Sequence, residues 1–277
     1  MGEPRATLKW ALNRGILRPA PVFRKCKKAA YLRQPPGRSA FWYDGKCWKQ
    51  VGSPFEGTIF EGSHLPLARA LMLRLSFAQG ATYDEARRYC IFDGEDVPPS
   101  NKAIARWYKM YRRASSTRSQ VGGPGRIVQV DEALIHGRRK YGRGRVNTQI
   151  WVLGVVDDEG QMRLAMVRDR KRATLFRLLR EWIRPGSEIH TDGWRAYRGL
   201  ELLGFTHKTV NHKAPLCDGT HTQHIEVQLR SARRKFSRGG IRARGVPGHL
   251  REWLWRRACR RGRIDPFGQL LQLLRRI

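Results

Sequence analysis

Residues 148–169, "TQIWVLGVVDDEGQMRLAMVRD", contain two apolar runs separated by Asp-Asp-Glu-Gly. Runs rich in Val, Leu and Ile that are bounded by turn residues predict β-strands. Asp, Glu and Gly between two such runs predict a hairpin connection. The stretch therefore predicts two antiparallel strands, and we interpret Asp157, Asp158 and Glu159 as turn residues.

The segments around this hairpin extend the pattern. A strand is predicted over 126–135, and downstream of the hairpin a helix (174–183), a strand (187–193), a helix (194–204), a strand (206–212) and a helix (224–236) follow. Three strands followed by alternating helices and strands is the order of a ribonuclease H-like α/β domain, a mixed sheet with helices on its faces. We assign this domain to residues 126–262 and a C-terminal helix to 263–277.

The chain before residue 115 has a different character. Residues 1–63 are rich in Pro and Lys without clean periodicity, which indicates a small loop-rich module. Residues 64–115 predict three short helices, with a stop at Gly80 and a capping box formed by Thr82 and Glu85. The last helix is basic, so the region is interpreted either as a helix-turn-helix-like DNA-binding unit or as a helical spacer with a solvated face. The Ser- and Gly-rich residues 115–125 are interpreted as a linker.

The composition predicts a polyanionic partner. Lys and Arg number 55 against 23 Asp and Glu, giving a formal net charge of +32. A hydrophobic fraction of 40% with nine Trp residues indicates folded cores rather than a disordered basic tail. Because the basic residues are spread along the chain, DNA or RNA fits better than a membrane surface. No apolar run approaches the ~18 residues of a membrane span, and no signal segment is evident, so we expect a soluble intracellular protein.

Three carboxylates lie at chemically suggestive places on the predicted elements. Asp131 falls within the first strand, Asp192 at the end of the fourth, and Glu226 in the first turns of the following helix. Neighbouring carboxylates repel one another unless a cation is bound, and Mg²⁺ prefers such oxygen ligands. The alternative is a chance placement, since the chain has 23 acids. Glu132 should point to the opposite face of the strand and form a surface ion pair.

Several motifs in order carry a family resemblance over nearly the whole chain. The matching stretches are "GTIFEGSHLPL" (57–67), "VDEALIHGRRKYGRGR" (130–145), "WVLGVVDDEG" (151–160), "RPGSEIHTDGWRAY" (184–197), "GFTHKTVNH" (204–212) and "GTHTQHIE" (219–226). The sequence resembles the Merlin superfamily of DDE-type DNA transposases and their bacterial insertion-sequence relatives.

The resemblance implies a function and a set of site residues. The family's acidic triad falls on Asp131, Asp192 and Glu226, which would hold two Mg²⁺ or Mn²⁺ ions for DNA cleavage and strand transfer. Double-stranded DNA, as transposon ends and target, and a homo-oligomer are the implied partners. The protein would work in the nucleus of a eukaryotic host, or otherwise in the cytoplasm at the nucleoid.

The sequence also departs from the family. The family's N-terminal zinc ribbon uses two Cys-x-x-Cys pairs, whereas the matching positions here are Phe23 and Cys26, then Asp44 and Cys47. Because tetrahedral zinc requires four such ligands, we expect no structural zinc. "HTQHIE" lacks the Asn that usually precedes the catalytic Glu, and Leu229 replaces a common Trp. These departures keep open a domesticated DNA-binding protein without turnover, beside an active transposase or a general nuclease.

Basic residues on two segments are the predicted DNA contacts. Arg138, Arg139, Lys140, Arg143 and Arg145 follow the first strand, and Arg230, Arg233 and Arg234 recur at helical spacing after Glu226. Guanidinium and ammonium groups in such rows bind phosphates, although a solvated helix face gives the same pattern. His221 or His224 is interpreted as a contact to the scissile phosphate or, alternatively, as structural. Trp107 and Trp194 are predicted to be core residues.

Overall fold

The computed structural model describes residues 5–22, 29–35, 39–46, 49–92, 97–115, 119–136, 149–210, 221–238, 241 and 243–274. The chain divides into two compact units, Met1–Ser115 with Arg263–Ile277, and Ser116–Gly262. Within the described ranges, no helix is long and apolar enough to cross a membrane.

The first unit contains a small sheet and five helices among its described residues. The elements are α1 (Arg5–Asn13), β1 (Tyr31–Arg33), β2 (Phe41–Asp44), β3 (Lys49–Gly52), α2 (Leu67–Gln79), α3 (Tyr83–Tyr89), α4 (Asn101–Ala114) and, after the second unit, α8 (Pro266–Leu274). The three strands pair antiparallel in the order β1-β2-β3. Helix α8 packs on α2 and α4.

The helical region follows its sequence signals closely. Gly80 ends α2 in the left-handed conformation at φ 83°, as a helix-stopping glycine should. Thr82 and Glu85 form the predicted capping box at the start of α3. Helix α4 buries one face, which includes Ile104 and Trp107. The helical pattern and caps were therefore sufficient to predict these elements.

The second unit is a five-stranded mixed sheet flanked by helices. The elements are β4 (Ile127–His136), β5 (Ile150–Asp157), β6 (Met162–Val167), α5 (Arg172–Trp182), β7 (Glu188–Thr191), β8 (Thr206–Thr209), α6 (Gln223–Arg238) and α7 (Val246–Arg261). The strand order is β6-β5-β4-β7-β8. β5 pairs antiparallel with both β4 and β6, whereas β7 pairs parallel with both β4 and β8. The first and fourth strands are neighbours, as expected.

Two cores cover the two faces of this sheet. One contains Val128, Val130 and Ile189 of the sheet together with Leu175 and Leu179 of α5. The other contains Ala133 and Ile135 of the sheet, Ile225 and Leu229 of α6, and Leu250 of α7. Alternate residues of β4 therefore face α5 and α6, which is the two-residue period of a strand.

Two sequence interpretations differ from this fold. Residues 194–204 do not form one helix but two short 3-10 helices, Arg195–Tyr197 and Leu200–Leu203. Gly199 lies between them with a positive φ of 86°, which interrupts a regular helix. The end of the stretch interpreted as a linker is packed into the unit, because Val121 is buried and forms a bridge with Ile183.

Candidate functional site

The strand register brings Asp131 and Asp192 to corresponding places on neighbouring strands. β4 and β7 pair in parallel with Gln129 opposite His190 at the last paired position. Two residues further along lie Asp131, within β4, and Asp192, directly after the end of β7. Residues in register on parallel strands point to the same sheet face, and here that is the face covered by α6.

Helix α6 is fixed to the same strand by the side chain of Gln129, which is 5% exposed. Its Oε1 accepts the backbone N–H of Ile225 at 3.0 Å. Glu226 is the next residue of the helix, and its Oε1 accepts the Thr222 hydroxyl at 2.8 Å. The bond from Ile225 therefore ties the start of α6, and with it Glu226, to β4 two residues before Asp131.

The Asp131 carboxyl has an unfavourable electrostatic position. Burial raises the pKa of Asp131 to about 7 and is partly opposed by the backbone N–H of Glu132, which donates to Oδ1 at 2.7 Å. The charges of Glu132, Asp192 and Glu226 raise this pKa further. The three predicted acids are thus close enough for Asp192 and Glu226 to disfavour the charged form of Asp131.

The acids of this site lack the cationic partners that other acids of the unit have. A Lys or Arg side chain pairs with Glu132, Asp158, Glu159, Asp169, Glu181, Glu188 and Glu252. In the described part of the unit, no ion pair involves Asp131, Asp192, Glu226 or Asp157. Asp157 instead accepts backbone N–H groups of Gly122 and Gln161. Within the described ranges, the site acids therefore have no ion-pair partner, although the chain has a net charge of +32.

The donor set suits a hard divalent cation, but the side chains are not arranged as a finished metal site. Carboxylate oxygens are the ligands that Mg²⁺ prefers. Among the residues that the structure describes, no three His, Cys, Asp or Glu side chains are grouped so that they could hold a metal ion. Asp192 Oδ1 accepts the backbone N–H of Trp194 at 3.0 Å, and Glu226 is bonded to Thr222. Metal binding would therefore require these side chains to turn toward Asp131.

Glu132 occupies the other face of β4 and is buried, so its interpretation as a surface residue is wrong. Its side chain is 1% exposed, and Oε2 pairs with Arg170 at 3.3 Å. The Arg170 guanidinium also lies 4.2 Å from the Trp151 ring centroid and 4.8 Å from that of Trp194. Strand spacing indicated the face of Glu132 but not its partner, since Arg170 lies in the connection between β6 and α5.

Trp194 is not the core residue that the sequence predicted, because it is 41% exposed. Its backbone N–H bonds Asp192 and its ring stacks on Arg170. Trp107, by contrast, is 7% exposed and belongs to the core of the first unit. The signal that could have identified Trp194 is its place directly after "TDG", a turn at the end of a strand.

The two histidines beside α6 differ in their surroundings. Because the Ile225 N–H fixes the Gln129 oxygen, the Gln129 Nε2 group must donate to Nδ1 of His221, at 2.9 Å. His221 is exposed, and its Nε2 is then the protonated ring nitrogen. Burial lowers the pKa of His224, and the charges of Arg257 and Arg261 lower it further. His221 therefore has a fixed donor orientation, whereas His224 is a neutral, partly buried side chain.

The predicted DNA contacts fall into two groups. Arg230, Arg233 and Arg234 lie on α6, with Arg230 and Arg234 exposed and Arg233 partly buried. Arg138, Arg139, Lys140, Arg143 and Arg145 lie outside the described residues. Only the α6 group can therefore be placed relative to the acidic site, on the helix that carries Glu226.

The positions matched to a zinc ribbon are only partly described. Phe23, Cys26 and Cys47 lie outside the described residues. Asp44 is 5% exposed, and its Oδ1 accepts the backbone N–H of Lys46 at 2.9 Å. Asp44 thus closes the turn after β2.

The second unit is an α/β domain with a five-stranded mixed sheet, and Asp131, Asp192 and Glu226 lie on one side of it in a strongly basic chain. Residues 121–257 match the family model of the ISXO2-like transposase domain. The family implies transposase activity and DNA binding, and it generally uses divalent metal ions. No curated protein matches the chain.

Proposed function

We propose that the chain is a DNA transposase that cuts and joins strands at an acidic triad formed by Asp131, Asp192 and Glu226. The domain would be ribonuclease H-like, as the strand order and the helices on both faces support. The Merlin branch of these enzymes is the proposed relationship. The observation that carries the proposal is that Asp192 and Glu226 lie close enough to raise the pKa of Asp131, while no ion pair among the described residues involves any of the three acids in a chain of net charge +32.

The three side chains would hold two Mg²⁺ or Mn²⁺ ions, and the N-terminal module would hold no structural zinc or only a weakly bound one. Bound divalent ions supply activation of the attacking hydroxyl and stabilisation of the leaving oxygen. The raised pKa of Asp131 fits this role, because a cation would favour its charged form. To bind metal, Asp192 would give up its hydrogen bond from the Trp194 backbone N–H. Glu226 would likewise give up its hydrogen bond from the Thr222 hydroxyl.

The partners follow from the same proposal. Arg230, Arg233 and Arg234 would contact DNA phosphates beside the triad, together with Arg138, Arg139, Lys140, Arg143 and Arg145. Double-stranded DNA would serve as transposon end and as target, held by a homo-oligomer. In a eukaryotic host the protein would work in the nucleus, and otherwise at the nucleoid.

Nicking of supercoiled plasmid in Mg²⁺ or Mn²⁺ tests the catalytic proposal. The parent chain should nick, and Asp192→Asn should lose nicking while it still binds DNA. Glu181→Gln is the matched control, because it removes one negative charge from an exposed position on α5. Equal nicking by the parent and Asp192→Asn would contradict the assignment of Asp192.

A second candidate function is DNA binding without turnover, in a domesticated descendant of a transposase. The absence of a metal-ready cluster among the described residues favours it. In this case the parent and Asp192→Asn would both bind DNA with equal affinity and neither would nick. The same experiment thus separates the two functions.

A further inference from the structure

A row of four basic side chains runs along one exposed stripe of α4 in the first unit. The positions follow the i, i+4, i+7, i+11 spacing of a single helix face and are all exposed: Lys102, Arg106, Lys109 and Arg113. The opposite face of the helix is buried through Ile104, Trp107 and Tyr111. At 1.5 Å per residue the stripe is roughly 16 Å long.

This stripe forms one wall of a groove of about 610 Å³. The other wall is the segment 59–65, which is held against α4 by Phe60, whose ring centroid lies 5.8 Å from that of Trp107. Phe60 is 5% exposed, so its ring anchors the segment in the core. Core packing therefore holds both walls of the groove in place within this unit.

The described part of the chain supplies no ion-pair partner for the stripe. Among the described residues, no ion pair involves Lys102, Arg106, Lys109 or Arg113. Glu61 also lines the groove, but its Oε2 accepts the backbone N–H of Gly57 at 2.9 Å. Four cations facing one groove create a field that attracts a polyanion.

The shape of the groove limits how DNA could use it. An α-helix with its side chains is ~10–12 Å across and already fills a major groove of ~12 Å. The wall formed by residues 59–65 lies beside the cationic stripe, so this face of α4 cannot enter a major groove to contact base edges. Lys and Arg can instead contact the phosphates of a strand that passes along the groove, and phosphate contacts carry no sequence information.

We propose that the α4 groove is a second DNA-binding site, which holds the sugar-phosphate backbone of a duplex without sequence preference. The proposal takes the nature of the ligand, DNA, from the proposed function but does not depend on catalysis. It differs from the helix-turn-helix-like interpretation, in which an inserted helix would contact bases. The site would hold flanking or target DNA during the reaction.

DNA binding by the full chain, measured by fluorescence anisotropy in EDTA over a range of salt concentrations, tests this proposal. The test variant replaces Lys102, Arg106, Lys109 and Arg113 by Gln. The matched control replaces four exposed basic residues of the same unit, Arg5, Lys9, Lys46 and Arg88, by Gln. Both variants have the same net charge, and thermal unfolding checks that both are folded.

Each lost phosphate contact should reduce the slope of log affinity against log salt by about 0.9. The groove variant should therefore lose about three and a half units of slope and more than about tenfold in affinity relative to the control. The loss should be equal for two duplexes of unrelated sequence. A charge-preserving variant, Arg106→Lys with Arg113→Lys, should bind like the parent.

Four outcomes would overturn the proposal. Equal slopes for the groove variant and the control would remove the site while leaving the proposed function intact. A loss confined to one duplex sequence would mean that α4 contacts bases. A loss seen with duplex RNA but not with duplex DNA would assign the groove to RNA. If the parent chain binds no DNA, the groove proposal and the proposed function both fail.

Discussion

Gln129 Oε1 accepts the backbone N–H of Ile225 at 3.0 Å, which joins β4 to the first turn of α6 across the sheet face that carries Asp131. The strand and the helix each supply one proposed catalytic acid, Asp131 and Glu226. The bond therefore sets the position of one acid relative to the other. Gln129 acts as a positioning residue in this arrangement and needs no contact with the DNA.

Gln129→Met should destabilise the chain and reduce cleavage. The apolar side chain has a similar length but leaves the buried Ile225 N–H without an acceptor, which costs about 1–3 kcal/mol. Urea unfolding measures the stability loss, and plasmid nicking at graded Mn²⁺ concentrations measures the effect on the site. We expect a higher Mn²⁺ concentration at half-maximal nicking, whereas loss of stability alone would leave this concentration unchanged.

The control for this prediction is Gln223→Met at the exposed first residue of α6. It should leave both stability and the Mn²⁺ dependence near those of the parent. A Gln129→Met variant with the parent's Mn²⁺ dependence would show that the hydrogen bond between Gln129 and Ile225 does not position Glu226.

Arg170→Met should destabilise the unit by leaving the Glu132 carboxylate buried without its partner. Breaking a buried ion pair costs roughly 3–5 kcal/mol, and the partial exposure of Arg170 places the expected loss near the lower end. Calorimetry of the parent and the variant measures the loss. Adding Glu132→Gln should recover much of it, because the unpaired charge is then removed.

The double variant, Arg170→Met with Glu132→Gln, also separates the effect of Arg170 on stability from its effect on nicking. Its indole stack is still broken, since Trp194 no longer lies against a guanidinium. Trp194 donates to Asp192, so nicking should remain below that of Glu132→Gln alone even where stability is recovered. Full recovery of nicking would show that Arg170 serves stability only.

Glu85 should make the stability of the first unit depend on pH in the acid range. Hydrogen bonds from the Thr82 backbone N–H and hydroxyl lower the pKa of Glu85 below its ordinary value of 4.5. A lowered carboxyl pKa gives stability that is present above the ordinary value and is lost as the pH falls through the lowered one. The stability difference between the parent and Glu85→Ala should therefore shrink below about pH 4.

Asp84→Ala provides the comparison at the neighbouring exposed position of the same helix turn. Urea unfolding of the three proteins between pH 3 and pH 7 measures the effect. A difference for Glu85→Ala that is constant across this range would contradict the assignment of the capping box as its cause.

The parts of the fold that were predictable from sequence are those with local signals. The hairpin at 157–160 follows from two apolar runs around turn residues, and α4 from its apolar period. Asp131 and Asp192 could be placed because each lies on or directly after an apolar strand. The prediction of one helix over 194–204 was wrong. Most residues there favour a helix, but Gly199 lies at positive φ and interrupts it.

The site contacts could not be predicted, because they join residues that are distant in sequence. Gln129 and Ile225 are 96 positions apart, and Glu132 and Arg170 are 38 apart. No local sequence pattern identifies which buried Gln will accept a backbone N–H of a helix. None identifies which Arg will contact two Trp rings. These contacts depend on which strands are neighbours in the sheet. From the sequence, that arrangement could be inferred only from the order in which strands and helices follow one another along the chain.

Gly154 of β5 lies where the sheet packs closely against α6. It pairs with Asp131 in the register of β4 and β5. A Cβ atom at this position would lie 3.0 Å from Cδ1 of Ile225 and 3.0 Å from Cδ2 of Leu229. Only the absence of a side chain therefore allows α6 to pack this closely on the strand beside Asp131.

Substitutions at Gly154 should displace α6, and the effect should increase with size. Gly154→Ala requires shifts of a few tenths of an ångström, whereas Gly154→Val overpacks the core and should cost about 1–3 kcal/mol. Because Glu226 follows Ile225 on the displaced turn, nicking should fall more steeply than stability along this series. Calorimetry and nicking of both variants test this, and activity that falls only in proportion to the folded fraction would contradict it.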